Sequence, residues 1–267
     1  MIGRTLAIAA AIAVVALSCR AIPAPTDGVL SVSEVDLPSP GVVVGDTLRD
    51  SVGNAAPLRV YAFGVGGMAD TITNIAATFV LLDRGAHITA DGYLIGDSVR
   101  TTPVRVVGAV GVLQTSAANV DVTPQPDSIG AASTTPIDTV RFNPLDSTAS
   151  VNFSAALTVT VVGAGSPPPP ITSVIVRYAI AYQPTASVAG AVSALLVNST
   201  GAANSVDTTD VNGHAGPRVR VRPQAPTAPD SVVVTASASY RGIPLRGSPV
   251  RFVIPIYGSI PSSSRGR

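Results

Sequence analysis

The chain contains 267 residues and has a formal net charge of +1 at pH 7; 46% of its residues are hydrophobic, 12% charged and 4% aromatic. This composition is too apolar for a disordered protein. All 17 basic residues are arginine and the only glutamate is Glu34, so α-helix is disfavoured almost everywhere. With two histidines and one cysteine, the chain lacks the parts of most catalytic and metal sites. We therefore predict a protein that is not an enzyme and has no cofactor and no metal.

The charge is distributed unevenly along the chain. Residues 1–135 carry 7 arginines and 11 acidic residues, a net charge of −4. Residues 136–267 carry 10 arginines and 5 acidic residues, a net charge of +5. We expect the two halves to present surfaces of opposite sign to their partners.

The N-terminal segment predicts export. Arg4 precedes the apolar run Leu6–Leu17, which ends at Ser18 and Cys19, as in a secretory signal. As a helix this segment would reach roughly 21 Å, less than the roughly 30 Å hydrocarbon core, which disfavours a spanning anchor. The segment ending at Cys19 resembles a bacterial lipobox, which implies lipidation of Cys19. Ordinary cleavage after Ser18 and a short uncleaved anchor are the alternatives.

Residues 51–82 and 150–181 repeat each other at an offset of 99. The ungapped alignment pairs nine identical residues in 32, among them Leu58 with Leu157 and Val60 with Val159. Further on, Asp91-Gly92 corresponds to Asn212-Gly213 after an insertion. The sequence therefore predicts two copies of one repeat.

Pro-, Ser- and Ala-rich stretches without hydrophobic periodicity separate the predicted copies and read as linkers. The predicted organisation is a signal peptide or anchor at 1–19, a linker at 20–30, a first domain at 31–122, a linker at 123–136, a second domain at 137–258 and a disordered tail at 259–267.

Short strands and frequent turns predict an all-β fold. Alternation is clearest in Leu157–Val161 and in Arg218–Arg222, where odd and even residues take opposite faces of a sheet. The recurrent turns favour antiparallel sandwiches and leave no room for crossover helices. A closed barrel is the weaker alternative. The predicted strands are Leu58–Phe63, Ile72–Leu82, Val99–Val107, Ala118–Val122, Ala156–Val162, Ile171–Tyr182, Pro217–Arg222, Ser231–Ser239 and Val250–Ile256.

One stretch of the second copy resembles a known family. Thr209–Ala215 (TDVNGHA), followed by Arg218–Val221 and Asp230–Ala236, resembles the bacterial immunoglobulin-like domains of the invasin and intimin type. The resemblance covers about 30 to 50 residues. It implies two tandem immunoglobulin-like antiparallel β-sandwiches, a fold used for spacers, adhesive modules and scaffolds and rarely for catalysis.

Three candidate chemical sites have simpler interpretations. Gly96-Asp97-Ser98 is similar to the nucleophile block of GDSL esterases, but neither His87 nor His214 lies in the required D-x-x-H pattern. Gly64–Gly67 lacks the following helix of a phosphate loop. Asp207–Gly213 could offer oxygen ligands to Ca²⁺, but it lacks the final glutamate and its Asn-Gly is typical of a tight turn. We favour turns in all three places.

Arg218, Arg220 and Arg222 alternate with two valines, so their guanidinium groups should project from one face. The simpler interpretation is a solvated strand face whose charges discourage aggregation. The functional alternative is a partner-binding ridge for an anionic lipid head group, polysaccharide or acidic protein surface. Nucleic acid is not expected, because aromatic residues for base stacking are missing.

These features together predict an exported, membrane-tethered protein of the bacterial cell envelope that acts by protein–protein contact. The main hypothesis is a periplasm-facing accessory or scaffold subunit of a larger membrane assembly. A cell-surface adhesin is the first alternative, and a carbohydrate-binding module is the second. Scarce aromatic residues, with no Trp and six Tyr, speak against the last.

Overall fold

The computed structural model describes residues 29–64, 71–72, 76–189 and 191–259. Within these ranges the only helical element is a 3-10 turn at Ser150–Asn152, and no helix has the length and hydropathy needed to cross a membrane. The predicted all-β class is confirmed. Cys19, the start of the first predicted linker and the tail from residue 260 lie outside the described residues.

The first repeat is built from short strands joined by turns. They are β1 (Ser31–Asp36), β2 (Gly41–Val43), β3 (Arg59–Phe63), β4 (Thr71–Ile72), β5 (Thr78–Leu81), β6 (Ala86–Ile88), β7 (Leu94–Gly96), β8 (Val104–Val110), β9 (Leu113–Gln114) and β10 (Ala118–Thr123).

The second repeat continues in the same manner. Its strands are β11 (Pro126–Ala131), β12 (Val140–Phe142), β13 (Val159–Gly163), β14 (Ile175–Tyr182), β15 (Ala194–Val197), β16 (Val206–Thr208), β17 (His214–Ala215), β18 (Arg218–Val221), β19 (Asp230–Ser237), β20 (Ser239–Tyr240), β21 (Ile243–Pro244) and β22 (Val250–Gly258).

The two repeats have similar sheet orders. One sheet of the first repeat has the order β2-β10-β8-β5, and the corresponding sheet of the second has the order β12-β22-β19-β14-β16. In each, the first strand runs parallel to the last strand of its repeat, β2 with β10 and β12 with β22. The opposing sheets are β1-β3-β4 and β11-β13-β17. The described chain is thus a tandem pair of related, mainly antiparallel β structures.

A paired turn also recurs in both repeats. Gly92 and Gly213 have φ values of +82° and +74°, a conformation that side chains rarely adopt. At Gly213 a Cβ would lie 2.5 Å from the backbone oxygen of Val161. The Asp-Gly and Asn-Gly pairs of the sequence therefore mark equivalent tight turns.

The predicted linker at 123–136 requires correction, because Pro126–Ala131 forms β11. This strand pairs antiparallel with β13, and Ile129 donates its N–H to the Arg246 carbonyl at 2.9 Å. Only Pro126 and Ile129 of the strand are buried, so its sequence shows little hydrophobic periodicity. Backbone pairing, which leaves no pattern in the sequence, makes this segment a strand.

By contact the chain divides into two compact units. Of the described residues, the first comprises 29–36, 59–64, 71–72, 76–80 and 106–118, and its core contains Val29, Val60, Ala62 and Val110. The second comprises 37–58, 81–105, 119–189 and 191–259.

The large core of the second unit lies among the strands of the second repeat. Phe142, Leu157, Ile171, Ile254 and Ile256 are its largest fully buried side chains. The inward residues alternate with exposed ones along β18 and β22, as a sheet with one face in the core requires.

A pair of substitutions on β18 tests this inward and outward assignment. Val219→Asp should lower the free energy of unfolding by more than about 3 kcal/mol, because it buries an unpaired carboxylate at a fully buried position. Arg218→Asp introduces the same side chain one residue earlier, at an exposed position, and should change stability by no more than about 0.5 kcal/mol. Thermal and urea unfolding measure both. Equal effects would show that the assignment is wrong.

Candidate functional site

The three arginines of the predicted ridge differ in their exposure and contacts. Val219 and Val221 are fully buried, which confirms the alternation, but only Arg218 is exposed, whereas Arg220 and Arg222 are partly buried. The Arg220 guanidinium donates to the Ser147 carbonyl at 2.6 Å and lies 5.6 Å from the centre of the Phe153 ring. Arg220 is therefore held by its own chain. Partner binding by Arg218, Arg220 and Arg222 stays a prediction.

The predicted turn at Asp207–Gly213 is held by its own carboxylates. Asp210 Oδ1 accepts the N–H groups of Asn212 and His214 at 2.8 and 2.9 Å, and Asp207 Oδ2 accepts the N–H of Gly216 at 2.7 Å. Across the described residues, no group of three or more His, Cys, Asp or Glu side chains is arranged to hold a metal ion. These oxygens therefore act as turn-stabilising acceptors.

At Gly96-Asp97-Ser98, the structure places a polar pair on the surface. Asp97 Oδ1 lies 2.7 Å from His87 Nδ1, and both side chains are about half exposed. His87 and Ile95 are opposite each other in the ladder between β6 and β7. The contact between His87 and Asp97 therefore lies at the open end of this hairpin. This position agrees with the turn interpretation of Gly96–Ser98.

The most organised polar cluster lies around Asp46, in the second unit, and was not foreseen from the sequence. The side chain of Asp46 is 4% exposed, in the turn that follows β2. Its backbone is fixed by β7, because Gly45 donates its N–H to the Gly96 carbonyl at 2.8 Å and Gly96 donates to the Asp46 carbonyl at 3.2 Å. These backbone hydrogen bonds hold the turn that carries the carboxylate, independently of its side-chain contacts.

Two arginines each contact both oxygens of this carboxylate. Arg49 donates from Nε to Oδ2 at 2.8 Å and from Nη2 to Oδ1 at 2.9 Å. Arg241 donates from Nε to Oδ2 at 3.0 Å, and its Nη2 forms an ion pair with Oδ1 at 2.9 Å. Paired forks of this kind are among the strongest polar contacts in proteins. We call Asp46, Arg49, Tyr240 and Arg241 the Asp46 cluster.

Two further donors complete the coordination of the carboxylate. The Tyr240 hydroxyl donates to Asp46 Oδ2 at 2.7 Å, and the Thr47 N–H donates to Oδ1 at 2.8 Å. The Arg241 guanidinium also lies 5.4 Å from the centre of the Tyr240 ring. Oδ2 thus accepts three hydrogen bonds, Oδ1 accepts two and also contacts Arg241 Nη2 in an ion pair, and the buried charge is compensated.

These contacts shift the titration of the cluster. Burial alone would raise the pKa of Asp46, but hydrogen bonds from Arg49, Arg241, Tyr240 and the Thr47 backbone outweigh it and hold the pKa far below its usual range. Burial, followed by the hydrogen bond to Asp46, raises the pKa of Tyr240 to about 12. The cluster therefore keeps one protonation state across the neutral range.

The loop after Arg49 packs directly on the turn of the β20–β21 hairpin. Arg49 Nη1 donates to the Gly53 carbonyl at 2.9 Å, which holds this loop. Gly53 has a φ of +96°, and a Cβ there would lie 2.5 Å from the Gly242 nitrogen. Only glycine permits this approach, so the cluster joins residues 46–54 to residues 239–242 by both charge and close packing.

A cavity of about 360 Å³ lies beside the Asp46 cluster, and all its lining residues belong to the second unit. Asp46, Arg49, Tyr240 and Arg241 contribute to its wall, together with Arg177 from β14. Volumes of about 300 to 1,000 Å³ are typical of small-molecule sites. The arrangement offers guanidinium and hydroxyl donors.

A second surface feature lies on the outer face of the sheet formed by β14, β19 and β22. The ladder aligns Tyr182, Val233 and Val253 in one row across the three strands. Val233 points away from the core and is nevertheless only 7% exposed. We call Tyr182, Val233, Val253 and Tyr257 the outer-face patch. Arg251, opposite Thr235, and Arg141, opposite Tyr257, add exposed positive charge to it.

No known protein family and no curated protein matches this sequence. Solved structures of similar fold include the Escherichia coli adhesin FdeC, at 14% identity and a TM-score of 0.28, over 85% of this chain and 66% of that chain.

The Yersinia pseudotuberculosis adhesin InvE shows 13% identity and a TM-score of 0.27, over 80% of this chain and 56% of that chain. Part of mouse cadherin-23 shows 11% identity and a TM-score of 0.25, over 87% of this chain and 66% of that chain. This chain thus spans less than two thirds of each of these chains. Identities this low limit the likeness to the fold.

Asp46→Asn should lower the free energy of unfolding by about 2 kcal/mol at pH 7, because two arginines lose their charged acceptor in a partly buried site. The folded pKa of Asp46 is lowered, so its contribution is complete above the unfolded pKa of about 3.9 and is lost as the pH falls toward the folded pKa. The stability difference between wild type and variant should therefore shrink below about pH 4. Urea unfolding at pH 7 and pH 3 measures it. Asp91→Asn, at an exposed position, is the control; an equal loss there would contradict the assignment.

Gly53→Ala should destabilise the protein more than Gly201→Ala. Both glycines have similar positive φ values, +96° and +85°, so both variants carry the same backbone strain. Only at Gly53 would the new Cβ meet backbone, at Gly242; nothing lies within 4 Å at Gly201. We expect an additional loss of about 1 to 3 kcal/mol at Gly53 by urea unfolding. Equal losses would show that the two segments are not in close contact.

Proposed function

We propose that this chain is an exported, non-enzymatic adhesin that binds a protein partner through the outer-face patch. The observation that carries the proposal is the row of Tyr182, Val233 and Val253, an apolar strip on the side of the sheet that faces away from the core. Directly opposed side chains of neighbouring strands contact each other, so Tyr182 and Val253 cover Val233. The strip is a continuous apolar surface.

The composition of the patch fits a protein interface. Tyrosine and arginine are enriched at the centres of interfaces, whereas lysine and glutamate are depleted. Tyr182 and Tyr257 are 48% and 40% exposed, and Arg141 and Arg251 stand beside them. The nearby acid, Asp230, accepts a hydrogen bond from the Tyr182 hydroxyl at 3.3 Å. We infer a partner surface with an apolar centre and an acidic rim.

Two proteins of similar fold, FdeC and InvE, are adhesins. The scaffold interpretation of the sequence shares the protein–protein contact and differs in location. An adhesin must be exposed outside the cell and attach to other surfaces, whereas a periplasm-facing scaffold is enclosed. Location and attachment therefore distinguish the two roles.

Cells that produce the full chain should expose it to protease when intact, and should adhere to one another or to cultured epithelial cells more than non-producing cells do. Replacing Tyr182, Val253 and Tyr257 by Ser should reduce this adhesion at least about tenfold, because buried tyrosines at interfaces commonly contribute 2 kcal/mol or more.

The matched control replaces three apolar side chains that are equally or more exposed elsewhere in the second unit, Leu145, Val188 and Val211, by Ser. This variant should adhere like wild type. Protection from protease on intact cells would favour the scaffold role. Equal adhesion by both triple variants would remove the outer-face patch from the proposal.

A further inference from the structure

The cavity beside the Asp46 cluster carries an excess of positive charge. Three arginines, Arg49, Arg177 and Arg241, line it together with two aspartates, Asp46 and Asp50, which leaves a net charge of +1. The Asp46 carboxylate accepts five hydrogen bonds, and Asp50 Oδ1 accepts the N–H groups of Val52 and Asn54. Both negative charges are thus already engaged by the protein.

Two of the arginines keep donors that the protein does not use. Arg241 commits Nε and Nη2 to Asp46, which leaves Nη1, and its side chain is 51% exposed. Arg177 is exposed and donates from Nη2 to the Ser51 carbonyl at 3.0 Å, which leaves the other N–H groups of its guanidinium available to a ligand. A guanidinium group has five N–H donors and binds carboxylates through two of them. These free donors would favour an anion in the cavity.

Hydroxyl residues make up much of the remaining polar lining. Thr47, Ser51 and Ser239 line the cavity near the arginines, and a hydroxyl can both donate and accept. A ligand with its own hydroxyl groups could pair with them, whereas a bare ion would leave them unused. The volume of about 360 Å³ suits a ligand the size of a monosaccharide.

We propose that this cavity binds a small hydroxylated carboxylate, of the class of the uronic acids. The carboxylate pairs with Arg177 and Arg241, and the ligand hydroxyls pair with Thr47, Ser51 and Ser239. Arg49 and Tyr240 hold Asp46 and position the wall. The site lies apart from the outer-face patch and does not depend on the proposed adhesion.

Calorimetric titration of the folded protein with glucuronate tests the proposal. We expect saturable binding that weakens as salt is added. Glucose has similar hydroxyls without the charge, and acetate has the charge without the hydroxyls; both should bind at least about tenfold more weakly. Inorganic phosphate tests for a general anion site. Saturation by phosphate or acetate at the glucuronate concentration would overturn the inference of a hydroxylated ligand, and an absence of saturable binding by glucuronate would overturn the site.

Arg177→Gln is the decisive variant, because Arg177 makes no contact with Asp46 and its loss leaves the Asp46 cluster intact. It should weaken glucuronate binding at least about tenfold, the effect of losing a charge-assisted hydrogen bond. Arg218→Gln removes the same charge from an exposed strand position outside the cavity and should bind as wild type. If Arg177→Gln binds as wild type, or if both variants weaken binding equally, the cavity is not the site.

Discussion

One buried carboxylate, that of Asp46, fixes the geometry on which the candidate site depends. A carboxylate this deeply buried is tolerated only when its oxygens are fully hydrogen-bonded and its charge is paired. Arg49 comes from the same loop, whereas Tyr240 and Arg241 come from a hairpin almost 200 residues later in the chain. The need to satisfy one charge therefore brings two distant segments together, and the glycine contact at Gly53 makes the junction close.

The repeated β structure supplies the fixed surfaces on which the proposed adhesive role depends. The two repeats supply similar frameworks with related strand orders, and their sheets present side chains in fixed rows. In the second repeat one row leaves the outer-face patch open to a partner. The Asp46 cluster, in contrast, ties residues 46–54 to the β20–β21 hairpin within the second unit and forms one wall of a charged cavity. Rigid presentation of surfaces is what an adhesive or scaffolding module requires.

Local patterns in the sequence predicted local structure well. The predicted strands Ser231–Ser239 and Val250–Ile256 correspond to β19 and β22, because short runs rich in β-branched and apolar residues between turns are typical of strands. The strand β11 was missed because only two of its residues are buried, and the Asp46 cluster was missed because its members are far apart in sequence. Asp46-Thr47-Leu48-Arg49 looks like an ordinary polar turn. Nothing local indicates that Tyr240 and Arg241 complete it, since long-range pairing leaves no periodic signal in a single sequence.

Native-state hydrogen exchange tests most directly the claim that one carboxylate joins these two segments. The amides of residues 46–56 and of the β20–β21 hairpin should be compared in the wild-type protein and in Asp46→Asn. If the carboxylate couples them, both segments should lose protection together in the variant, by a similar factor, while the amides of β13 exchange as before. Loss of protection in residues 46–56 alone, with an unchanged hairpin, would contradict the account.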